Sequence, residues 1–317
     1  MNAPGLWVVV IGGGQNCEHD VSLSSANAVA AALRVTGHKV TELTIDRDGS
    51  WSRGDLSITF SAAVAVLENA DVVFPVLHGP RGEDGTIAAL CDLAGVPFVG
   101  SGIAPSALGM DKWASKLVAE AIGIATAPAV LVTDAVKAAS YRWSGPVVVK
   151  PVAAGSSHGV SLVMDPTELT DAIKHALQVD SRVLIESYVT GREIDIAVAD
   201  WGDGPLVTPP LEVLRSGIFD LESKYDGSAQ FVLPAPITED ESAKLIESAR
   251  AIYGALGCSG LARVDFFLTA KGWVFNEINT IPGMTAQSQA PRMFASRGIP
   301  YVELVDRLVR GTIELAR

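Results

Sequence analysis

The hydrophobic period changes repeatedly along the chain, and each change marks an element. Over residues 7–11, 39–45, 72–76 and 97–99 apolar residues run together or alternate, as in strands. Over residues 21–33, 62–68 and 86–93 they recur every three or four positions, as in helices. The order βαβαβαβ predicts a parallel sheet with ligand loops at the carboxyl ends of its strands. Val99-Gly100-Ser101-Gly102 reads as a joint. A helix is expected over 115–122, strands near 129–132, 146–149 and 160–164, and a helix from Pro166 with Asp165 as N-cap and Glu168 at N3. A strand over 182–186 follows. The remainder reads as an antiparallel sheet with helices: strands near 194–199 and 206–214, a helix opened by the capping box of Thr238 and Glu241, and an amphipathic helix over 301–316. The fold class is α/β and α+β multidomain, divided as 1–102, 103–185 and 186–317.

The most informative pattern is a pair of strand-like runs, 261–268 and 272–279, which carry Arg263, Asp265, Glu277 and Asn279 inside apolar β-sequence, where an unpaired charge is costly. A three-residue turn, Ala270-Lys271-Gly272, would centre the hairpin on Lys271. That register sets Asp265 opposite Glu277 and Arg263 opposite Asn279, all on one face. Two directly opposed carboxylates repel unless a hard cation lies between them, and Mg²⁺ with its preference for oxygen ligands fits. An ordinary solvated hairpin face is disfavoured because the flanking residues are too apolar.

Composition narrows the function classes. With 48% hydrophobic and 19% charged residues among 317, the chain is globular and long enough for two or three domains. A net charge of −12 argues against a broad nucleic-acid or acidic-membrane surface, so any anionic ligand must sit on local basic islands. The apolar run at residues 6–11 is too short to span a membrane and lacks the flanks of a signal peptide. Three scattered cysteines without metal-ligand spacing point to a reduced, cytoplasmic setting.

Several loops carry candidate chemistry. Gly12-Gly13-Gly14 lacks the third glycine of a dinucleotide fingerprint, and the Glu18-His19-Asp20 cluster after it reads equally as an acidic helix start or as a carboxylate awaiting a substrate amine. His78, in a glycine-rich loop at a strand end, is either a functional or a structural histidine. Lys150 ends an apolar strand before the small-residue loop Gly155-Ser156-Ser157, which can fold over polyphosphate; the lysine precedes the glycines, so this is not a P-loop. Lys112 and Lys224-Tyr225 offer further cations.

In chain order, these segments are Glu18-His19-Asp20-Val21-Ser22, Leu77-His78-Gly79 with Gly82-Glu83-Asp84-Gly85, Met110-Asp111-Lys112, and Val149-Lys150-Pro151 with Gly155-Ser156-Ser157. They continue with Ile185-Glu186, Gly191-Arg192-Glu193, Lys224-Tyr225, Arg263-Val264-Asp265 and the run Asn276 to Thr285. The series resembles the D-alanyl-D-alanine ligases of the ATP-grasp superfamily over nearly the whole length.

The resemblance implies an ATP-grasp fold preceded by a parallel-sheet, Rossmann-like N-terminal domain. It also implies ligation of two D-alanines through an acyl phosphate for peptidoglycan precursor synthesis. The alternative is a ligase with another second amino acid, such as D-serine, or one serving a secondary-metabolite pathway. Lys112, Lys150 and Ser157 are expected at the ATP phosphates, Glu186 at the adenine amine, Glu193 at the ribose, and Lys224 at the γ-phosphate on a mobile loop from about residue 212 to 231. Asp265, Glu277 and Asn279 are expected to hold two Mg²⁺ ions, with Mn²⁺ as a substitute. Arg263 and the Gly283 N–H are expected at the oxyanion, and Glu18 at the first substrate's ammonium in a cluster with Ser156 and Tyr225. His78 is expected near the first carboxylate and Ser288 at the second. A cytoplasmic homodimer using ATP and D-alanine, without nucleic-acid or membrane partners, completes the expectation. Three positions depart from the family pattern: Ser187, His158 and Gln289. Gln289, where Leu or Met is usual, predicts a more polar second-substrate pocket that favours D-serine.

Overall fold

The computed structural model describes residues 4–214 and 230–316; Lys224 and Tyr225 lie outside them. The N-terminal unit runs β1 (Trp7–Gly13), α1 (His19–Val35), β2 (Lys39–Ile45), β3 (Trp51–Arg53), β4 (Leu56–Ile58), α2 (Phe60–Glu68), β5 (Val72–Pro75) and α3 (Thr86–Leu93). Its sheet has the order β4-β3-β2-β1-β5, with β2, β1 and β5 parallel. Both faces of β1 are covered, which is why Val8 to Ile11 read as an unbroken apolar run: Val8 and Val10 join one core, Val9 and Ile11 another. The short antiparallel strands β3 and β4 were not expected from the sequence. Residues 97–99, expected as a strand, contribute one parallel bridge, Val73 to Phe98.

Where the sequence suggested only a joint, α4 (Ile103–Met110) runs straight into α5 (Lys112–Ala121). Asp111 separates them and caps α5 by accepting the Ala114 N–H at 2.9 Å. The central sheet contains β6 (Ala129–Val132), then α6 (Ala135–Ser140), β7 (Val147–Pro151), β8 (Ser161–Val163), a 3₁₀ turn at Pro166–Glu168, α7 (Leu169–Leu177) and β9 (Val183–Ser187). Its antiparallel order is β6-β9-β7-β8. Period-two alternation divides it: Val147, Val149, Val183 and Ile185 pack under α7, while Val148, Lys150 and Glu186 face a cavity.

The C-terminal sheet comprises β10 (Arg192–Asp200), β11 (Leu206–Val207), β12 (Leu211–Leu214) and β13 (Gln230–Val232), followed after α8 (Glu239–Leu256) by β14 (Gly260–Thr269) and β15 (Gly272–Asn279). The strand expected over 206–214 is split at Thr208-Pro209-Pro210, where two residues lack a backbone donor. Thr238 and Glu241 form the expected capping box. One face of the sheet packs on α8 through Ile194, Ile196, Val264, Phe266, Phe275 and Ile278. The other is half core, beneath α9 (Gln289–Ser296) and α10 (Tyr301–Leu315), and half polar site. Helices α4 and α5 lean on β15 and α8, and α10 packs on α1. No described helix is long and apolar enough to cross a membrane.

Candidate active site

Asp265 pairs with Glu277 and Arg263 with Asn279, as the alternation predicts, but the hairpin reaches this register by a different route. At its tip Thr269 pairs with Gly272, so the loop is two residues and not three. The ladder slips by one between Asp265 and Phe266, leaving Asn276 as the extra residue of a β-bulge. Because of that insertion Phe275 and Ile278 both enter the α8 core, and the two residues between them, Asn276 and Glu277, both face the cavity. A regular strand would have turned one of them inward.

On the same face Arg263 holds Asp265 through two bonds, Nε to Oδ1 at 2.7 Å and Nη2 to Oδ2 at 2.8 Å, while the Asn279 amide donates to Oδ2 at 3.0 Å. Burial opposes the charge on Arg263, but Asp265, Asp195 and Glu277 outweigh it and keep the guanidinium firmly protonated. Asp195, not singled out in the sequence, is buried directly opposite Asp265. It receives the Gln289 side-chain amide at 2.7 Å. Gln289, expected from the sequence to make the second-substrate pocket more polar, thus has one amide N–H engaged by Asp195.

A cavity of about 370 Å³ lies between the central and C-terminal sheets, lined among others by Lys112, Lys150, Ser157, Glu186, Glu193, Phe267 and Glu277. On its central-sheet wall one carboxylate meets two ammoniums: Glu186 lies 2.8 Å from Lys150 and 3.0 Å from buried Lys116. Burial works against the charge on Glu186, but the two lysines outweigh it and hold its carboxyl below the usual range. Lys112 reaches Glu277 at 3.1 Å and donates to the Ala154 carbonyl at 2.7 Å, tying α5 to the small-residue loop. In that loop Ser156 and Ser157 both take left-handed backbone conformations (φ 48° and 57°). The strain is tolerated where surrounding contacts fix it. One such contact is the Ser156 hydroxyl, which donates to Glu18 at 2.5 Å. A β-carbon on Gly79 or on Gly155 would collide with Glu18 Oε2 and push the end of that side chain aside, and Gly79 also takes a left-handed backbone conformation (φ 69°).

His78 is buried, with Nδ1 2.8 Å from the Ile281 carbonyl and Nε2 3.4 Å from the Ser25 hydroxyl. Burial lowers its pKa, so the ring is neutral and Nδ1–H donates to Ile281. Glu83 binds the other backbone polar group of Ile281, accepting its N–H at 3.1 Å, and also accepts the Gly79 N–H at 2.9 Å. These bonds hold the segment that leads to Gly283, and nothing in the local pattern points to them beyond Glu83 lying in a glycine-rich loop. Ser288, at the N-cap of α9, accepts the Thr285 N–H at 3.1 Å and sits beside Gly283.

Glu83 makes a pH-dependent contribution. Burial, then the charge of Glu18, push its pKa from 4.5 to about 7, against the pull of the two N–H bonds and Lys112. The folded protein therefore binds this proton more tightly than the unfolded chain. Stability from this group is complete below about pH 4.5 and is lost as pH rises through about 7, by at most about 3 kcal/mol. Glu83→Gln should flatten that part of the stability profile, read from urea midpoints between about pH 5 and 8. An unchanged slope would contradict the assignment.

Among the described residues no three His, Cys, Asp or Glu side chains gather to form a metal cage. Two carboxylates and an amide do fit a divalent ion that takes its remaining oxygens from phosphate and water. The cations already drawn to these carboxylates, Arg263 and Lys112, show the charge that the face attracts.

A cavity between two antiparallel sheets, with Lys150 on one wall and Glu277, the ladder partner of Asp265, on the other, defines the chain as an ATP-grasp enzyme. A family profile described as "D-ala D-ala ligase C-terminus" matches residues 118–310, and one described as "D-ala D-ala ligase N-terminus" matches residues 56–101. The chain belongs to the D-alanine–D-alanine ligase family. Among its relatives is a D-alanine–D-alanine ligase of Chlorobium luteolum, 40% identical with 97% of each chain covered. Another, from Streptomyces coelicolor, is 36% identical over 96% of this chain and 92% of the relative. The crystal structure of the VanG D-Ala:D-Ser ligase from Enterococcus faecalis superposes with a TM-score of 0.87 at 34% identity, covering 97% of this chain and 99% of that one.

Proposed function

We propose that the enzyme uses ATP to join two D-alanines, as a cytoplasmic homodimer supplying dipeptide for peptidoglycan precursors. The observation that carries this reading is the cavity at which Lys112, Lys150, Ser156 and Glu277 meet, with Glu18 bonded to Ser156 and the Arg263–Asp265–Asn279 face continuing from Glu277. The γ-phosphoryl group passes to the carboxylate of the first D-alanine. The amine of the second then attacks the acyl phosphate, releasing phosphate and leaving ADP and the dipeptide. Glu18 receives the first ammonium, with Ser156 and Tyr225 completing the hydrogen-bonded cluster. Lys112, Lys150 and Ser157 position the phosphates, Lys224 meets the γ-phosphate, Glu193 the ribose, and Glu186 the adenine edge while seating Lys150. Two Mg²⁺ ions on Asp265, Glu277 and Asn279, replaceable by Mn²⁺, would neutralise charge on the moving phosphoryl group. Arg263 and the Gly283 N–H stabilise the oxyanion of the tetrahedral intermediate. His78 holds the Ile281 segment beside the first carboxylate, and Ser288 receives the second. A negative cluster at the amine end favours an ammonium nucleophile over a neutral hydroxyl.

The test is phosphate release with D- and L-amino acids, singly and in pairs, with products read by mass spectrometry. D-alanine alone should suffice, and it should outcompete D-lactate near neutral pH. Preferential ester formation, or no turnover with D-alanine as the sole amino acid, would overturn the reading.

A further inference from the structure

A row of carboxylates crosses three adjacent strands: Asp195 on β10 faces Asp265 on β14, which faces Glu277 on β15. Arg263 lies one step along β14 and points the same way. Asp265 and Glu277 have work at the metal and phosphate end of the cavity. Asp195 sits one strand further from Glu277, has a side chain only 1% exposed, and is given no direct task by the reaction proposed above. A carboxylate buried so deeply is costly unless it is paired.

Its pairing is specific. The guanidinium of Arg263 stands between two acids, with Nε 2.7 Å from Asp265 Oδ1 and 3.6 Å from Asp195 Oδ2. That same Asp195 oxygen accepts the Gln289 amide at 2.7 Å. Gln289 is the first residue of α9, immediately after Ser288. Its N–H thus fixes the carboxylate from the helix side, and the positive end of α9 favours the charge.

We infer that Asp195 and Gln289 form a positioning pair, which fixes Arg263 for the first substrate and links it to the helix start carrying Ser288 for the second. The reason for a second acid behind Arg263 follows from the duties of the first. An oxygen of Asp265 engaged by a divalent ion holds a guanidinium less strongly, whereas Asp195 lies one strand further from Glu277, with the same oxygen near Arg263 and bonded to Gln289. Arg263 therefore keeps one fixed partner while Asp265 serves the reaction. Gln289, placed where relatives of this family were expected to carry Leu or Met, sets the direction of the Asp195 carboxylate instead of reading the second side chain.

The inference rests on the proposed ligation for its kinetic readout and on the unliganded enzyme for an independent one. The variants are Asp195→Asn, which keeps size and an acceptor for Gln289, Gln289→Leu, and the two together. Asp195→Asn should lower kcat roughly 10- to 100-fold and raise the KM for D-alanine at the first site about tenfold, with the KM for ATP within about twofold. Its melting temperature should fall, because removing one of the two acids beside Arg263 leaves that buried charge less compensated. Gln289→Leu should move the same constants in the same direction by less. The double variant should be no worse than Asp195→Asn alone, because both changes act through one carboxylate. In nucleotide-free, metal-free protein, the ¹⁵N–¹H signal of Arg263 Nε, assigned by its loss in Arg263→Lys, should shift in both single variants. An unmoved Arg263 signal in Asp195→Asn, unchanged kinetic constants, or strictly additive effects would each overturn the pair. Should D-alanine prove not to be the substrate, the Arg263 signal still decides the question.

Discussion

Glu277→Gln should fold normally and turn over at least about a thousandfold more slowly than the parent enzyme. The side chain is 22% exposed and lies on the cavity side of β15, so a neutral amide of the same size disturbs no core. What disappears is the negative charge that faces Lys112 at 3.1 Å and pairs across the ladder with Asp265. Burial lowers the Lys112 pKa less than Glu277, Glu83 and Glu18 raise it, so loss of Glu277 also weakens the hold on that ammonium. Asp265→Asn should cost activity by a similar factor and stability besides, because Asp265 is 2% exposed and satisfies two nitrogens of Arg263. Chelation of divalent metal should abolish turnover in the unmodified enzyme. Single-turnover rates beside thermal melting separate the two variants. A folded Glu277→Gln protein with near-normal turnover would remove the metal assignment.

Lys150→Met should raise the KM for ATP at least about a hundredfold, equivalent to roughly 3 kcal/mol, with a smaller change in the KM for D-alanine. Two ammoniums around the single Glu186 carboxylate leave the wall of the cavity with a surplus positive charge. Without Lys150, Lys116 and Glu186 are left as a neutral pair, and the electrostatic attraction for polyphosphate is lost there. Lys116→Met provides the contrast. Lys116 is buried, holds the Ala127 carbonyl at 2.7 Å and does not line the cavity. Its removal should lower the melting temperature more than it alters the ATP constant. Calorimetric ADP binding checks the ranking, and a Lys150→Met protein with KM for ATP within about threefold of the parent would defeat it.

Much of this site was legible because its chemistry lies in short segments with a strict local period. Alternation along β14 and β15 was enough to place Arg263, Asp265, Glu277 and Asn279 on one face; β7 and β9 read only as apolar runs, and their pairing register decided that Lys150 and Glu186 face the same way. The Asp165 cap and the Thr238–Glu241 box were equally readable, since a cap needs only three or four consecutive residues. Helices α4, α6 and α9 were missed. The first follows the joint at 99–102 and has few polar markers, and the three span only eight, six and eight residues, too short for a clear period.

Sequence alone determined which residue types stand on which face, because side-chain direction in a strand follows from chain geometry one residue at a time. Tertiary structure decided where those faces are interrupted and what they meet. The bulge at Asn276 depends on how Phe275 and Ile278 both reach the α8 core, which no local pattern encodes. The Glu83 bond to Ile281 joins residues 198 positions apart, and the Gln289 bond to Asp195 joins residues 94 apart. Each is a polar group placed by packing between separate elements and held because leaving it unpaired in the interior is costly. That cost becomes visible only once the chain has folded around it.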